Sequence, residues 1–257
     1  MFSQDPMNLE ETLCQLLPGQ VSNCEFGVFK GKNATKENSY YTVNNGRYEK
    51  YNFLMFEAFN GKTELPQSWW PDVGPTPSAN SSGVKGICRE IYGNDGTQFP
   101  PFVEKEVTKW LFVSELCRSI WLEFDTEVDF NGIEAYRYRP PVSVFSMRNP
   151  DNYCYCPEFN QCAKANLTSD TWIADDCYAN CKDGFLRVGD CYGGIPVIMS
   201  APHFYNADSG LLKQIEGISP DQEQHDTYLD IEPITGIPLR AHKRIQVSKV
   251  LHSGRNC

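Results

Sequence analysis

Leu9, Leu13, Leu16 and Leu17 recur at helical spacing behind Asn8 and Glu11, which stand three residues apart as in a capping box. Pro18-Gly19 stops the run, so the pattern predicts a helix over 8–17. From Phe26 the apolar period falls to two. Strands are predicted at 26–29, 40–43 and 53–59, with Asn45-Gly46 and Asn60-Gly61 at turns. Residues 64–86, rich in proline, serine and glycine, read as a surface loop that docks onto the core through Trp69 and Trp70. The clearest alternation runs from Leu122 to Tyr138. Leu122, Phe124, Val128 and Phe130 alternate with Glu123, Asp125, Glu127 and Asp129, and Asn131-Gly132 turns the chain back. Counting outward from the turn sets Phe130 opposite Ile133 and Val128 opposite Ala135 on a packed face. The acids then share a wet face with Tyr136 and Tyr138. Farther on, the pattern predicts a buried strand over 195–199, a helix over 219–226 opened by Ser219, Pro220 and Gln222, and a last strand over 239–250 after a turn at Thr235-Gly236. Strands outnumber helices and their connections are short. The expected fold class is mainly β, a largely antiparallel body with short helical decorations.

Composition narrows the compartment. The 257 residues carry 11 cysteines, and six of them, Cys154, Cys156, Cys162, Cys177, Cys181 and Cys191, crowd one segment. Glycosylation sequons begin at Asn33, Asn80 and, within that segment, Asn166. Together they point to an oxidising, glycosylating compartment. Zinc fits the cluster poorly, because CxC and CxxxC are not paired CxxC knuckles and no histidine lies between Cys154 and Cys191. A net charge of −10 without any basic block excludes a duplex nucleic-acid reader. No apolar run approaches the roughly 18 residues of a membrane helix, and none has the form of a signal peptide. An oxidising address without a leader suggests a fragment, an alternative product, or a domain severed from its membrane anchor.

Candidate chemistry is thin. His203 precedes Asp208, and His225 sits beside Asp226, Asp230 and Glu232, yet HExxH, GxSxG and a phosphate loop are all missing. Asp230 and Glu232 share one side of an extended segment and are expected to meet cations such as Arg240, Lys243 or Arg244 in a structural role. Neither an enzyme nor a cofactor is indicated.

Six stretches resemble the class B scavenger receptors, in the family's order and near its spacing. They are Phe99-Pro-Pro-Phe-Val-Glu-Lys105, Cys117-Arg-Ser-Ile-Trp121, Gly132-Ile-Glu-Ala-Tyr-Arg-Tyr138, Asn149-Pro-Asp-Asn-Tyr-Cys154, Pro202-His-Phe-Tyr-Asn-Ala-Asp208 and Tyr228-Leu-Asp-Ile-Glu-Pro-Ile-Thr-Gly236. The resemblance implies a β-barrel-like ectodomain, topped by a helical bundle and flanked by two membrane helices that this sequence does not contain. It sits on the extracellular or lumenal side of a plasma or lysosomal membrane. Such a body holds or passes lipid through a tunnel, a host physically suited to acyl chains. The implied ligands are fatty acids, sterols or lipoprotein-like particles, and a protein partner on the bundle is a further expectation. Two alternatives are a lysosomal receptor for a lumenal protein and a secreted soluble lipid carrier. Residues 1–24 would be the remnant of the bundle, and 25–257 a partial barrel carrying the cysteine-rich segment 154–191. Carried over, the family's disulfides pair Cys88 with Cys154, Cys117 with Cys191, and Cys156 with Cys162. Cys177 and Cys181 would pair in an insertion, or Cys156–Cys181 would enclose Cys162–Cys177. Cys14 and Cys24 lack a family counterpart and would pair with each other, which leaves Cys257 over. A barrel short of strands at both ends would expose open edges, so the chain is expected to be a partial product that needs a covering partner.

Overall fold

The structure, a computed structural model, describes residues 39–70, 87–147, 149–156 and 182–249. The expected helix over 8–17, the strand over 26–29, the three sequons and Cys14, Cys24, Cys162, Cys177, Cys181 and Cys257 lie outside the described residues.

Ten strands are described: β1 (Tyr41–Val43), β2 (Phe56–Phe59), β3 (Lys109–Val113), β4 (Arg118–Phe130), β5 (Ile133–Arg139), β6 (Phe185–Arg187), β7 (Val197–Ser200), β8 (Tyr228–Ile231), β9 (Pro238–His242) and β10 (Gln246–Lys249). They form three antiparallel sheets of order β3-β4-β5-β8-β9, β10-β7-β6 and β1-β2. The fold is therefore mainly β, a curled half-barrel with two single-turn helices, α1 (Ser209–Leu212) and α2 (Gln222–His225). Strand β4 changes neighbours midway. Its first residues pair with β3 from Lys109↔Leu122 to Val113↔Arg118, and the remainder pairs with β5.

Two apolar clusters fill the interior. The larger joins Phe56, Phe112, Leu116 and Ile120 to Leu186, Val197 and Met199 of the three-stranded sheet. The smaller gathers Phe99, Val103, Leu122, Tyr138, Leu229 and Ile231. Trp70 docks as the sequence suggests. It is buried, stands edge-on to Tyr155 and donates its indole N–H to the carbonyl of Cys117 at 2.7 Å.

The turn at Asn131-Gly132, with φ of 56° and 85°, keeps the register counted from it: Phe130 faces Ile133 and Val128 faces Ala135. The expected wet face for Tyr138 is wrong. A bulge between Phe124 and Thr126 inserts Asp125, and Phe124 pairs directly with Tyr138. One added residue reverses the faces of everything beyond it. Leu122 and Phe124 thereby join Tyr138, which is fully buried, while Ala135 is equally buried on the opposite face.

Three other expectations change. The helix near 219 is shorter and starts later, because the Asp221 carboxylate caps it by accepting from the Gln224 N–H at 2.9 Å. The single last strand is two, β9 and β10, which belong to different sheets. Strand β6 and helix α1 left no readable period, being three and four residues long.

Candidate functional site

An apolar cavity of about 1120 Å³, counting its open mouth, lies where the two clusters meet. Phe112, Leu116, Ile120, Leu122, Leu229, Pro141 and Phe145 are among its apolar lining. Strand β4 contributes Ile120 and Leu122 to it, one from each cluster, since it passes from one cluster to the other along its length. Such a space excludes water from apolar surface and suits an apolar guest.

The charged residues of the lining are Asp95, Asp226, Lys243 and Arg244, and each has a partner. Lys243 donates to Glu115 at 2.6 Å. Burial alone would raise the Glu115 carboxyl, but hydrogen bonds from Lys243, its own backbone and Ser114 hold it below the usual carboxylate range. Arg244 donates to the Asp226 carbonyl at 2.6 Å and lies 2.8 Å from Nδ1 of His242. Asp226 accepts from Arg139 at 2.9 Å, yet burial pushes its carboxyl upward despite that cation. Lining charges satisfied by their own partners leave little net field to attract a charged guest. The interior is left to hydrophobic contact.

The titratable side chains singled out in the sequence have structural duties. His203 and His225 stack with centroids 4.4 Å apart. Each accepts a backbone N–H on Nδ1, from Ser219 at 3.0 Å and from Asp221 at 2.8 Å, respectively. Asp208 caps α1 through the N–H groups of Gly210 and Leu211. Asp230 is fully buried and grips Arg137 with both oxygens, at 2.7 and 2.8 Å, while Arg240 stands 3.8 Å away. The cation that matters most is thus Arg137, 93 residues earlier in the chain. Glu232 instead closes the turn at Ile234 and Thr235 through their backbone N–H groups. Among the described residues, no three His, Cys, Asp or Glu side chains gather to hold a metal.

Cys88 is bonded to Cys154, and Cys117 to Cys191, with Cα separations of 6.0 and 6.4 Å. Cys156 is also disulfide-bonded, to a partner outside the described residues. Sequence reasoning missed Arg118. Its buried guanidinium lies 3.7 Å from the centre of the Tyr155 ring and donates to Asn152 at 3.0 Å. Asn152 in turn donates to the carbonyls of Ser143, Val144 and Ser146. The stretches Cys117–Trp121 and Asn149–Cys154 are therefore tied together by the hydrogen bond from Arg118 to Asn152, while their cysteines bond elsewhere, to Cys191 and Cys88. No helix among the described residues is long and apolar enough to cross a membrane.

The profile of the CD36 family matches residues 1–256. The chain is 34% identical to lysosome membrane protein 2 of Homo sapiens over 224 residues, 87% of this chain and 39% of that protein. It is 29% identical to sensory neuron membrane protein 2 of Drosophila melanogaster over 264 residues, 98% of this chain and 44% of that one. With sensory neuron membrane protein 1 of Apis mellifera the identity is 31% over 216 residues, 79% of this chain and 38% of that one. The chain thus spans less than half the length of these relatives. A family match along almost the whole sequence, carried on an antiparallel disulfide-bonded body, has one meaning: the chain belongs to the CD36 family of class B scavenger receptors.

Proposed function

We propose that this chain is part of a lipid-binding receptor of the scavenger type and that it holds an acyl chain or a sterol in the cavity between its two clusters. The observation that carries this reading is the cavity itself, with a mainly apolar lining whose few charges are satisfied internally. Relatives named as membrane proteins of the lysosome and of sensory neurons favour a place on the lumenal or extracellular side of a membrane. On this reading residues 1–24 belong to an apical helical bundle, and Asn33, Asn80 and Asn166 carry glycans. Retention of lipid tests it. The chain is incubated with vesicles containing oleate and cholesterol, repurified and extracted for mass spectrometry. Ala201 borders the cavity. Ala201→Phe should fill the space and reduce retained lipid to background while near-ultraviolet circular dichroism stays native. Undiminished lipid in a natively folded Ala201→Phe chain, or none in the parent, would remove the cavity as the site.

A further inference from the structure

A second depression opens beside β3, apart from the lipid cavity. Pro100, Pro101, Phe102, Val103, Tyr92 and Trp110 wall it, and Lys109 is part of its lining. Two chain segments set its shape. The N–H groups of Phe99, Phe102 and Val103 donate to the carbonyls of Gly236, Ile234 and Pro233 at 2.9, 3.0 and 2.7 Å, so the proline-rich rim is strapped to the turn after β8. Phe102 is held at a φ of 59° and keeps 62% of its surface exposed. A bulky residue in this left-handed region is strained, and the straps impose it.

Lys109 is the anomaly in this groove. Only 9% of it is exposed, yet among the described residues its ammonium makes no ion pair. Its single hydrogen bond there, 3.1 Å, goes to the carbonyl of Glu104, which also accepts from the Tyr138 hydroxyl at 3.0 Å. The amine otherwise lies 5.3 Å from the centre of the Tyr138 ring. An ammonium has three donors, and a buried one without a carboxylate sheds its proton readily. Burial, opposed only by the charge of Glu104, pushes it down to about 8. Near neutral pH this raises the free-amine fraction by a factor of a few hundred over an ordinary lysine at 10.5. A neutral amine at the side of an apolar groove is a nucleophile towards carbonyl compounds.

We propose that Lys109 captures apolar aldehydes entering this groove as a reversible imine. The Nζ lone pair adds to the aldehyde carbon, and the carbonyl electrons move to oxygen, which takes up a proton. Nitrogen loses a proton to give the carbinolamine. Loss of water then leaves the C=N bond, so amine and aldehyde become imine and water without any oxidant or reductant. The chain of the aldehyde lies along Pro100, Pro101 and Phe102.

Reductive trapping tests the site. The full chain is exposed to limiting decanal with sodium cyanoborohydride, and the alkylated lysines are identified by peptide mapping. Lys109 should be alkylated at least about tenfold faster than the exposed Lys62, Lys213 and Lys249, at a rate that climbs through about pH 8. Decanal should outcompete propanal there, and Lys109→Arg should abolish the label on that peptide while leaving tryptophan emission native. Labelling of Lys109 no faster than of the exposed lysines, or equal labelling by decanal and propanal, would overturn the proposal. Lipid retention in the Ala201→Phe comparison reports separately on the other cavity.

Discussion

Asp230 and Lys109 are both charges inside a small protein, and their neighbours give them opposite characters. Asp230 meets a guanidinium fork, so its ionised form is satisfied on both oxygens. Removing the carboxylate would strand Arg137 against the Tyr228 ring, 3.9 Å from its centre, with its main partner gone. Asp230→Ala is expected to lower unfolding stability by about 3–5 kcal/mol, read from urea denaturation. Arg137→Met combined with Asp230→Leu should recover most of that loss, because a pair replaced whole leaves no uncompensated charge. A loss below about 1 kcal/mol for Asp230→Ala would show the pair to be dispensable. The sequence pointed to a cation for Asp230 but looked among its near neighbours. The partner came from β5, because strand pairing, and not proximity along the chain, sets which side chains meet. Lys109 was silent for a related reason. A lysine at the head of an apolar strand looks like an exposed end until the register sets it opposite Leu122.

At the level of elements, five of the six stretches that suggested kinship turn out to hold one another. Phe99–Lys105 is laced to Pro233–Gly236, and Cys117–Trp121 to Asn149–Cys154. Arg137, from Gly132–Tyr138, holds Asp230 of Tyr228–Gly236. Gly236 shows what such lacing demands. At a φ of +75° its backbone passes so near the rim that an added Cβ would fall 2.3 Å from the Phe99 carbonyl oxygen. Gly236→Ala should cost about 2–4 kcal/mol of stability by thermal or urea unfolding, and unchanged stability would refute this close approach. Turns and period-two runs were legible because Asn-Gly pairs and alternation are local signals. The bulge at Asp125 was not, because nothing in a run of alternating acids marks which residue will be left unpaired. The cavity was hidden as well, since its walls come from residues scattered between 95 and 245.

For the molecule as a whole, sulfur joins parts that the sheets leave separate. Cys117 precedes β4 of the five-stranded sheet, and Cys191 lies between β6 and β7 of the three-stranded one, 74 residues along the chain. Cys117→Ser with Cys191→Ser should lower stability by about 2–5 kcal/mol and reduce lipid retention in parallel, because the bond ties together the two sheets that contribute Phe112, Ile120 and Leu229 on one hand and Ser200 on the other to the cavity lining. A melting temperature unchanged under non-reducing conditions would deny the bridge that role. The long reach of β5 to β8 has a consequence for biogenesis. As the polypeptide emerges from the ribosome, the hairpin of β4 and β5 exists some ninety residues before the strand that covers it, with Arg137 and Tyr138 still facing solvent. Until Asp230 is synthesised, that nascent sheet presents a sticky, unsatisfied flank, and chaperone residence during this interval would govern the yield of correctly oxidised protein.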